Sequence, residues 1–184
     1  MRAFISVELP DEVKKKIAEL ITELKEIDLA VKWVETRNLH ITLKFLGGVK
    51  ENDLDELIEI STKAVAGSSS FNARFESLGT FPEGKNPRVI WVGTEEGGDK
   101  LCQLAESLEN ELSKAGFKRG EKAFKPHITI GRIKGNKGVD KLKEKMMNYK
   151  NPGFGAALID RVHIMKSTLT PKGPVYETIK EVRL

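Results

Sequence analysis

The sequence is poor in cysteine and has no long apolar run. Cys102 is the single cysteine among 184 residues, so no internal disulfide can form. No stretch is long and apolar enough to span a bilayer, and residues 1–9 lack the apolar region and cleavage site of a signal peptide. We therefore expect a cytoplasmic protein with no membrane partner, and we predict that Cys102 packs within a helix.

Histidine is also scarce, with three residues in the chain, and aromatic residues make up 7%. Charged residues make up 32% and apolar residues 39%, a balance that favours a folded domain over disorder. No low-complexity or charged linker divides the chain. The net charge of +4 favours an anionic partner without requiring one.

Hydrophobic periodicity predicts that strands and helices are interleaved. Alternation and turn residues predict strands over residues 1–9, 31–34, 40–46, 71–81, 88–94, 124–132, 155–167 and 175–184. Helical spacing predicts helices over residues 10–27, 51–66, 99–115 and 140–149. This order predicts an α+β fold.

Two of the three histidines lie in nearly identical segments, N-L-H-I-T-L-K-F at residues 38–45 and F-K-P-H-I-T-I-G-R at residues 124–132. Side chains alternate along a strand, so His40 shares a face with Thr42, and His127 shares a face with Thr129. Each imidazole then lies about 6 to 7 Å from its hydroxyl, a span that fits a phosphate. If the two strands are neighbours, both pairs line one cleft.

A pair of histidines suits the hydrolysis of a phosphodiester. Near neutral pH one imidazole can act as a general base on water while the other protonates the leaving oxygen. The hydroxyls of Thr42 and Thr129 and the guanidinium of Arg132 can stabilise charge on the phosphate oxygens. Arg132 lies an odd number of residues from His127, so it needs a bulge or the strand end to face the same side. The residues alone do not decide which histidine is the acid.

Other chemistries fit these segments less well. Neither segment has the ligand spacing of a metal site, and two histidines fall short of the three protein ligands usual for catalytic zinc. No nucleophile elbow is present, and Cys102 has no catalytic motif around it. A lone histidine would be read as a half-buried strand residue, but the repetition argues against that interpretation here.

Further residues near the motifs have less specific patterns. Phe45 follows the first motif closely and is a candidate to stack on a base of the substrate, although core packing also fits it. We expect core packing for Trp33 and Trp91. We read Lys44 as an exposed lysine and His163, which has no threonine two residues later, as an ordinary strand residue.

The motifs H-I-T-L and H-I-T-I resemble the signature of the 2H phosphoesterase superfamily. The segments M-R-A-F-I-S-V-E-L-P, G-T-F-P, P-R-V-I-W-V-G and S-T-L-T-P-K-G-P-V-Y resemble its RNA 2′,3′-cyclic phosphodiesterase branch, long called 2′-5′ RNA ligases. The resemblance implies an α+β, two-lobed LigT-like fold, with antiparallel sheets lining a central cleft and helices outside. It implies that residues 1–184 form a single catalytic domain with one motif in each lobe.

The resemblance also implies an activity and residue roles. The activity is metal-independent hydrolysis of RNA 2′,3′-cyclic phosphodiester ends to 2′-phosphomonoesters, with no cofactor. His40 corresponds to the proton donor, His127 to the proton acceptor, and Thr42 and Thr129 to groups that bind the phosphate. Arg132 matches a basic position after the second motif and is a candidate to bind the substrate. We expect RNA with cyclic phosphate ends, including tRNA fragments, as the partner of a monomeric protein. The alternatives are a 2′-5′ RNA ligase, which joins such ends to 5′-hydroxyl ends, and a non-catalytic module that binds RNA ends.

Overall fold

The computed structural model describes residues 1–149 and 153–184, over which strands and helices alternate. The strands are β1 (Arg2–Glu8), β2 (Val31–Trp33), β3 (His40–Gly48), β4 (Phe71–Phe81), β5 (Val89–Thr94), β6 (His127–Ile133), β7 (Gly155–Ile159), β8 (Arg161–Thr170) and β9 (Gly173–Arg183). The helices are α1 (Asp11–Leu24), α2 (Leu54–Val65), α3 (Gly98–Lys114) and α4 (Val139–Met147), with short 3₁₀ helices at Thr36–Asn38 and Glu51–Asp53. This confirms the predicted α+β class.

The strands of the described chain join into one antiparallel sheet in the order β7-β4-β5-β6-β3-β1-β8-β9, with β2 paired to β6. The two motif strands, β3 and β6, are neighbours at the centre and are joined by the pair Ile41 and Ile128. One half of the sheet therefore consists of the motif strand β6 with β5, β4 and β7. The other half consists of the motif strand β3 with β1, β8 and β9. A single ladder pair at the junction lets the halves diverge on either side of it.

The helices cover one face of the sheet because the apolar residues of both elements point there. On β1 the side chains of Ala3, Ile5 and Val7 alternate into the core. Helix α1 buries Val13, Ile17, Leu20, Ile21 and Leu24, which lie on one side at helical spacing. Helices α2 and α3 pack against each other and against β9 and β3, while α1 packs against β7. The opposite face of the sheet is left for the motif residues.

The main error of the sequence prediction concerns residues 155–167. They form two strands, β7 and β8, which separate at Asp160. β7 pairs with β4 in one half of the sheet, and β8 pairs with β1 in the other. The chain thus crosses between the halves at Asp160, whose carboxylate accepts hydrogen bonds of 2.9 Å from Nε and Nη2 of Arg161.

Two predicted boundaries also shift. Strand β6 begins at His127 and not at residue 124, because Pro126 has no backbone N–H to give to a ladder. Helix α1 ends at Leu24, so Ile27 lies in the turn after it and packs against the core from there.

Candidate active site

The antiparallel junction of β3 and β6 brings the two motifs together on the face opposite the helices. Since Ile41 pairs with Ile128, His40 lies on the side of Thr129, and Thr42 lies on the side of His127. All four polar side chains are half-buried, whereas Ile41 and Ile128 are fully buried in the core. Two imidazoles and two hydroxyls therefore face the same side of the sheet.

Each imidazole is held in the same way by the backbone before it. Nδ1 of His40 donates to the carbonyl oxygen of Asn38 at 2.7 Å, and Nδ1 of His127 donates to the carbonyl oxygen of Lys125 at 2.7 Å. A carbonyl can only accept a hydrogen bond, so Nδ1 carries the proton in both rings. In the neutral state of either ring, the lone pair then lies on Nε2.

The two Nε2 atoms differ in their surroundings. Nε2 of His40 lies 2.9 Å from Oγ1 of Thr42. The separation expected from strand spacing is therefore wrong for this pair, because the two side chains turn toward each other. Within residues 1–149 and 153–184, Nε2 of His127 has no such partner, and Thr129 makes no side-chain hydrogen bond. The second imidazole is therefore open to accept a proton from an incoming molecule, whereas the first already shares its nitrogen with a hydroxyl.

Aromatic rings from other strands contact both imidazoles and restrict their orientation. Phe4 stacks on His40 with ring centroids 5.0 Å apart, and Tyr176 meets His40 edge-on at 5.4 Å. Phe81 meets His127 edge-on at 5.1 Å. No role was predicted for these aromatic residues from the sequence, although the conspicuous segments G-T-F-P and P-V-Y contain two of them.

Burial is the main influence on the protonation of both histidines. It lowers the pKa of His40 below its ordinary value of 6.5, although the Asn38 carbonyl and the Glu8 carboxylate oppose it. It also lowers the pKa of His127, and the positive charge of Arg132 adds to this effect against the Lys125 carbonyl. The two imidazoles are electrostatically linked, since the charge of His127 lowers the pKa of His40 further.

A bulge follows the threonine in each motif strand. Ser6 pairs with Thr42 and Ile5 with Lys44, which leaves Leu43 without a partner on β1. The ladder between β5 and β6 skips Ile130 in the same way. Each bulge adds one residue to its strand. The residues after the bulge therefore face the opposite side of the sheet from the one that simple alternation predicts.

The bulges bring Phe45 and Arg132 to the same face as the histidines. Phe45 pairs with Phe4, which stacks on His40, and 71% of the Phe45 side chain is exposed. Arg132 is exposed, and its charge acts on both neighbouring rings: it adds to the burial that lowers the pKa of His127 and opposes the burial that raises the pKa of Tyr176. The bulge that Arg132 was expected to need is present, and core packing does not describe Phe45.

The comparison with protein families decides the affiliation. The model of the 2′-5′ RNA ligase superfamily matches residues 9–170, a range that contains both motifs. The chain belongs to the 2′-5′ RNA ligase superfamily.

Named relatives align with nearly the whole chain. A Thermotoga maritima protein named RNA 2′,3′-cyclic phosphodiesterase is 41% identical over 181 residues, which cover 98% of this chain and 94% of the relative. A Methanocaldococcus jannaschii protein of the same name is 37% identical over 181 residues, covering 98% and 99%.

Solved structures confirm the LigT-like fold predicted for this superfamily member. A Thermus thermophilus protein matches with a TM-score of 0.82 and 29% identity, covering 100% of this chain and 98% of the other. E. coli LigT, solved with 3′-AMP, matches with a TM-score of 0.78 and 23% identity, covering 100% and 97%.

Lys44 departs from the expectation of an exposed residue. The bulge at Leu43 turns it toward the helix face, where its side chain is 3% exposed. Its Nζ donates to both carboxylate oxygens of Glu109 at 2.7 and 2.8 Å and to the carbonyl oxygen of Lys118 at 2.6 Å. Burial opposes the ionisation of Glu109, but Lys44 and the Gly120 N–H hold its pKa below the usual value. This buried pair ties β3 to α3 directly behind the bulge.

Trp33 and Cys102 lie as predicted, whereas the core packing expected for Trp91 is wrong. Trp33 packs against the core and covers Gly131, where its ring leaves no room for a Cβ atom. Trp91 covers Gly79 in the same manner but lies half-buried on the site face, 5.1 Å from the ring of Phe81. Cys102 lies in α3 and is half-buried.

Two kinds of feature are absent from the described residues. In the chain outside residues 150–152, no three His, Cys, Asp or Glu side chains are grouped so that they could hold a metal ion. None of the helices in the same part of the chain has the length and apolar character needed to cross a bilayer.

Proposed function

We propose that this member of the superfamily is a metal-independent RNA 2′,3′-cyclic phosphodiesterase. The observation that carries the proposal is the paired imidazoles at the β3–β6 junction, each with Nδ1 bound to a carbonyl, so that Nε2 is the nitrogen that exchanges protons. The names of the Thermotoga and Methanocaldococcus relatives support the same activity and an RNA substrate.

The proposed reaction opens the cyclic phosphate with water. Nε2 of His127 removes a proton from water as its oxygen forms a bond to phosphorus. The bond between phosphorus and O3′ breaks, and His40 donates a proton to O3′ from Nε2. The product keeps its phosphate on O2′, and the two histidines exchange their protons with solvent before the next cycle. The vacant Nε2 of His127 supports its role as the base. At His40 burial lowers the pKa, and the Glu8 carboxylate offsets part of that effect.

Charge on the phosphate requires donors at the same site. We infer that the hydroxyls of Thr42 and Thr129 donate to the non-bridging oxygens and that Arg132 adds a positive charge as negative charge builds up. The exposed ring of Phe45 is available to stack on a base. Phosphate binding is thus assigned to residues of both motif strands, and base binding is assigned to the half of the sheet that contains β3.

Several broader statements belong to the same proposal. We infer that residues 1–184 act as one catalytic domain whose two lobes each contribute one motif. The protein is expected to work in the cytoplasm as a monomer, on RNA ends that include those of tRNA fragments. Size-exclusion chromatography with light scattering tests the oligomeric state.

The activity is tested by determining which bond breaks. An oligonucleotide with a 2′,3′-cyclic phosphate end is incubated with the protein in excess EDTA, and the product is examined by mass spectrometry and ³¹P NMR. A gain of one water with the phosphate on O2′ is the expected result. A 3′-phosphate, or loss of activity on chelation, contradicts the proposal. Tight binding without any product supports the non-catalytic RNA-end module.

Ligation is a second candidate, and the name of the superfamily favours it. The same acid and base can run the reaction backwards if a 5′-hydroxyl replaces water as the nucleophile. An RNA with a 5′-hydroxyl end, supplied in excess with the cyclic phosphate, should then yield a 2′-5′ linkage that resists an enzyme specific for 3′-5′ bonds. Hydrolysis as the sole outcome rules out ligation under these conditions.

A further inference from the structure

Glu8 lies beside His40 on the site face of the sheet. The two residues are direct partners in the ladder between β1 and β3, so their side chains point to the same side. Direct partners in an antiparallel pair have Cβ atoms about 4.5 to 5.5 Å apart. Both residues also line one cavity of about 310 Å³ on this face. The carboxylate is therefore a close neighbour of the imidazole, although the reaction described so far gives it no role.

Lys14 reaches the same carboxylate from helix α1. Its Nζ donates a hydrogen bond of 3.1 Å to Oε2 of Glu8. The side chains of this ion pair are 14% and 33% exposed, whereas those of Lys118 and Glu121, which form a surface pair, are 84% and 79% exposed. Solvent screens partly buried charges less than exposed ones. The charge of Lys14 thus extends its influence to the groups around Glu8.

The two charges act on His40 in opposite directions. A negative charge near an imidazole favours its protonated form, and a positive charge disfavours it. Burial is the largest influence and lowers the pKa of His40, and the Asn38 carbonyl raises it. Among the nearby charges, Glu8 has the largest effect and raises this pKa, whereas Lys14 and His127 lower it. Lys14 therefore counteracts the effect of Glu8 on the proton of His40.

The other titratable groups that face His40 contribute less charge. Burial lowers the pKa of His163 and raises that of Tyr176, so both side chains are neutral near pH 7. Arg37 lines the same cavity, but its side chain is 70% exposed and already forms an ion pair within its own segment. Arg132 on β6 acts on the second histidine and on Tyr176. Glu8 and Lys14 are thus the partly buried ion pair at this end of the site.

The proposed function, on which this step rests, requires His40 to hold a proton until O3′ leaves and then to release it. A general acid that binds its proton too weakly is empty at neutral pH, and one that binds it too strongly donates slowly. We propose that Glu8 and Lys14 are positioning residues for the acid. Glu8 keeps the proton on Nε2 of His40, and Lys14 weakens that hold so that the proton can pass to O3′.

The first test measures the protonation of His40 without substrate. The imidazole signals are assigned by substitution of each histidine in turn, and their pH titrations are followed by NMR. Glu8→Gln should move the midpoint of His40 to lower pH, and Lys14→Met should move it to higher pH. Lys15→Met is the matched control, because it removes an exposed charge from the next position of the same helix and should leave the midpoint unchanged. A Lys14→Met midpoint equal to that of wild type, or an equal shift in Lys15→Met, overturns the proposal.

The double variant tests whether the two charges oppose each other. Glu8→Gln combined with Lys14→Met removes both charges, of which Glu8 has the larger effect. Its midpoint should therefore lie between that of Glu8→Gln and that of wild type. A midpoint equal to that of Glu8→Gln shows that Lys14 has no influence, and a midpoint above that of wild type contradicts the larger effect of Glu8. Either result overturns the proposal.

The second test measures the use of the proton in the reaction. A 2′,3′-cyclic phosphorothiolate with sulfur at the 3′ position needs no acid, because a thiolate leaves without a proton. At pH 8 the ratio of kcat/KM for the natural substrate to kcat/KM for the sulfur substrate should fall in Glu8→Gln and rise in Lys14→Met. The change should not exceed the change in the protonated fraction of His40 that NMR gives. Unchanged ratios in both variants overturn the role of the pair in catalysis.

Failure of the proposed function is distinguishable from failure of this inference. If wild type hydrolyses neither substrate, the proposed function fails, and the NMR titrations alone support or reject the control of the His40 proton by Glu8 and Lys14. If wild type hydrolyses both substrates but the midpoints of the two single variants equal that of wild type, the inference fails and the proposed function stands.

Discussion

Phe45 and Arg132 occupy equivalent positions in the two motif strands, each five residues after its histidine and each turned to the site face by a bulge. One half of the sheet thus presents an exposed ring at this position, and the other presents a guanidinium. The arrangement around the histidines is otherwise similar, since each Nδ1 donates a hydrogen bond to the backbone carbonyl oxygen of the residue two positions before its histidine. We interpret the difference as a division between base contact and phosphate contact.

This division predicts that two substitutions change different kinetic constants. Arg132→Gln removes positive charge from the phosphate and should lower kcat about 100-fold, in the range observed for loss of a transition-state donor. Phe45→Ala removes a stacking surface and should raise KM about tenfold with a smaller change in kcat. Steady-state kinetics on a dinucleotide with a cyclic phosphate end separates the two effects. Identical effects of both substitutions on kcat and KM would count against the division.

The pH dependence follows from the lowered pKa values of both histidines. Activity requires a neutral base, so it rises as pH passes the pKa of His127, and it requires a protonated acid, so it falls as pH passes the pKa of His40. Burial lowers both pKa values below 6.5, and kcat/KM reports the free enzyme. A bell-shaped profile of kcat/KM with its maximum below pH 6.5 is therefore expected. A plateau that extends to pH 8 would show that these histidines do not control the rate.

The buried pair of Lys44 and Glu109 predicts a stability effect at a distance from the histidines. Lys44→Met leaves the Glu109 carboxylate, which is 20% exposed, without its cation, and should lower the free energy of unfolding by about 3 kcal/mol. Chemical denaturation measures this change.

The control for that prediction is Lys63→Met, which removes an exposed lysine from Glu111 and should change stability little, because Glu111 keeps its ion pair with Lys114. Adding Glu109→Leu to Lys44→Met should restore part of the lost stability, because the carboxylate is removed as well. A Lys44→Met protein as stable as Lys63→Met would mean that the buried pair has no stabilising role.

Much of the fold could be predicted because hydrophobic residues repeat along each helix and strand with the period of that type of element. The alternation in β1 and the helical spacing in α1 specify which side chains enter the core, and the strands predicted over residues 71–81 and 88–94 form as β4 and β5. The break at Asp160 could not be predicted, since no glycine or proline marks it. It depends on β7 and β8 pairing with strands in different halves of the sheet.

Within the site, the repeated histidines and threonines were visible in the sequence, and a bulge before Arg132 was considered, but the bulge at Leu43 was not predicted. Simple alternation puts Lys44 on the face of His40, whereas the ladder with β1 skips Leu43 and buries Lys44 instead. The rings of Phe4 and Tyr176 reach His40 from distant parts of the chain, so only the topology of the sheet shows their contact.

The central claim is that His40 and His127 have different roles, and a substrate with a sulfur leaving group tests it most directly. A thiolate leaves without protonation, so a 2′,3′-cyclic phosphorothiolate with sulfur at the 3′ position does not need a general acid. His40→Ala should lose at least about 100-fold in kcat/KM on the natural cyclic phosphate yet approach wild-type activity on the sulfur substrate. His127→Ala should lose activity on both substrates, because water still needs a base. Equal loss by His40→Ala on both substrates, or recovery of His127→Ala on the sulfur substrate, would contradict the assigned roles.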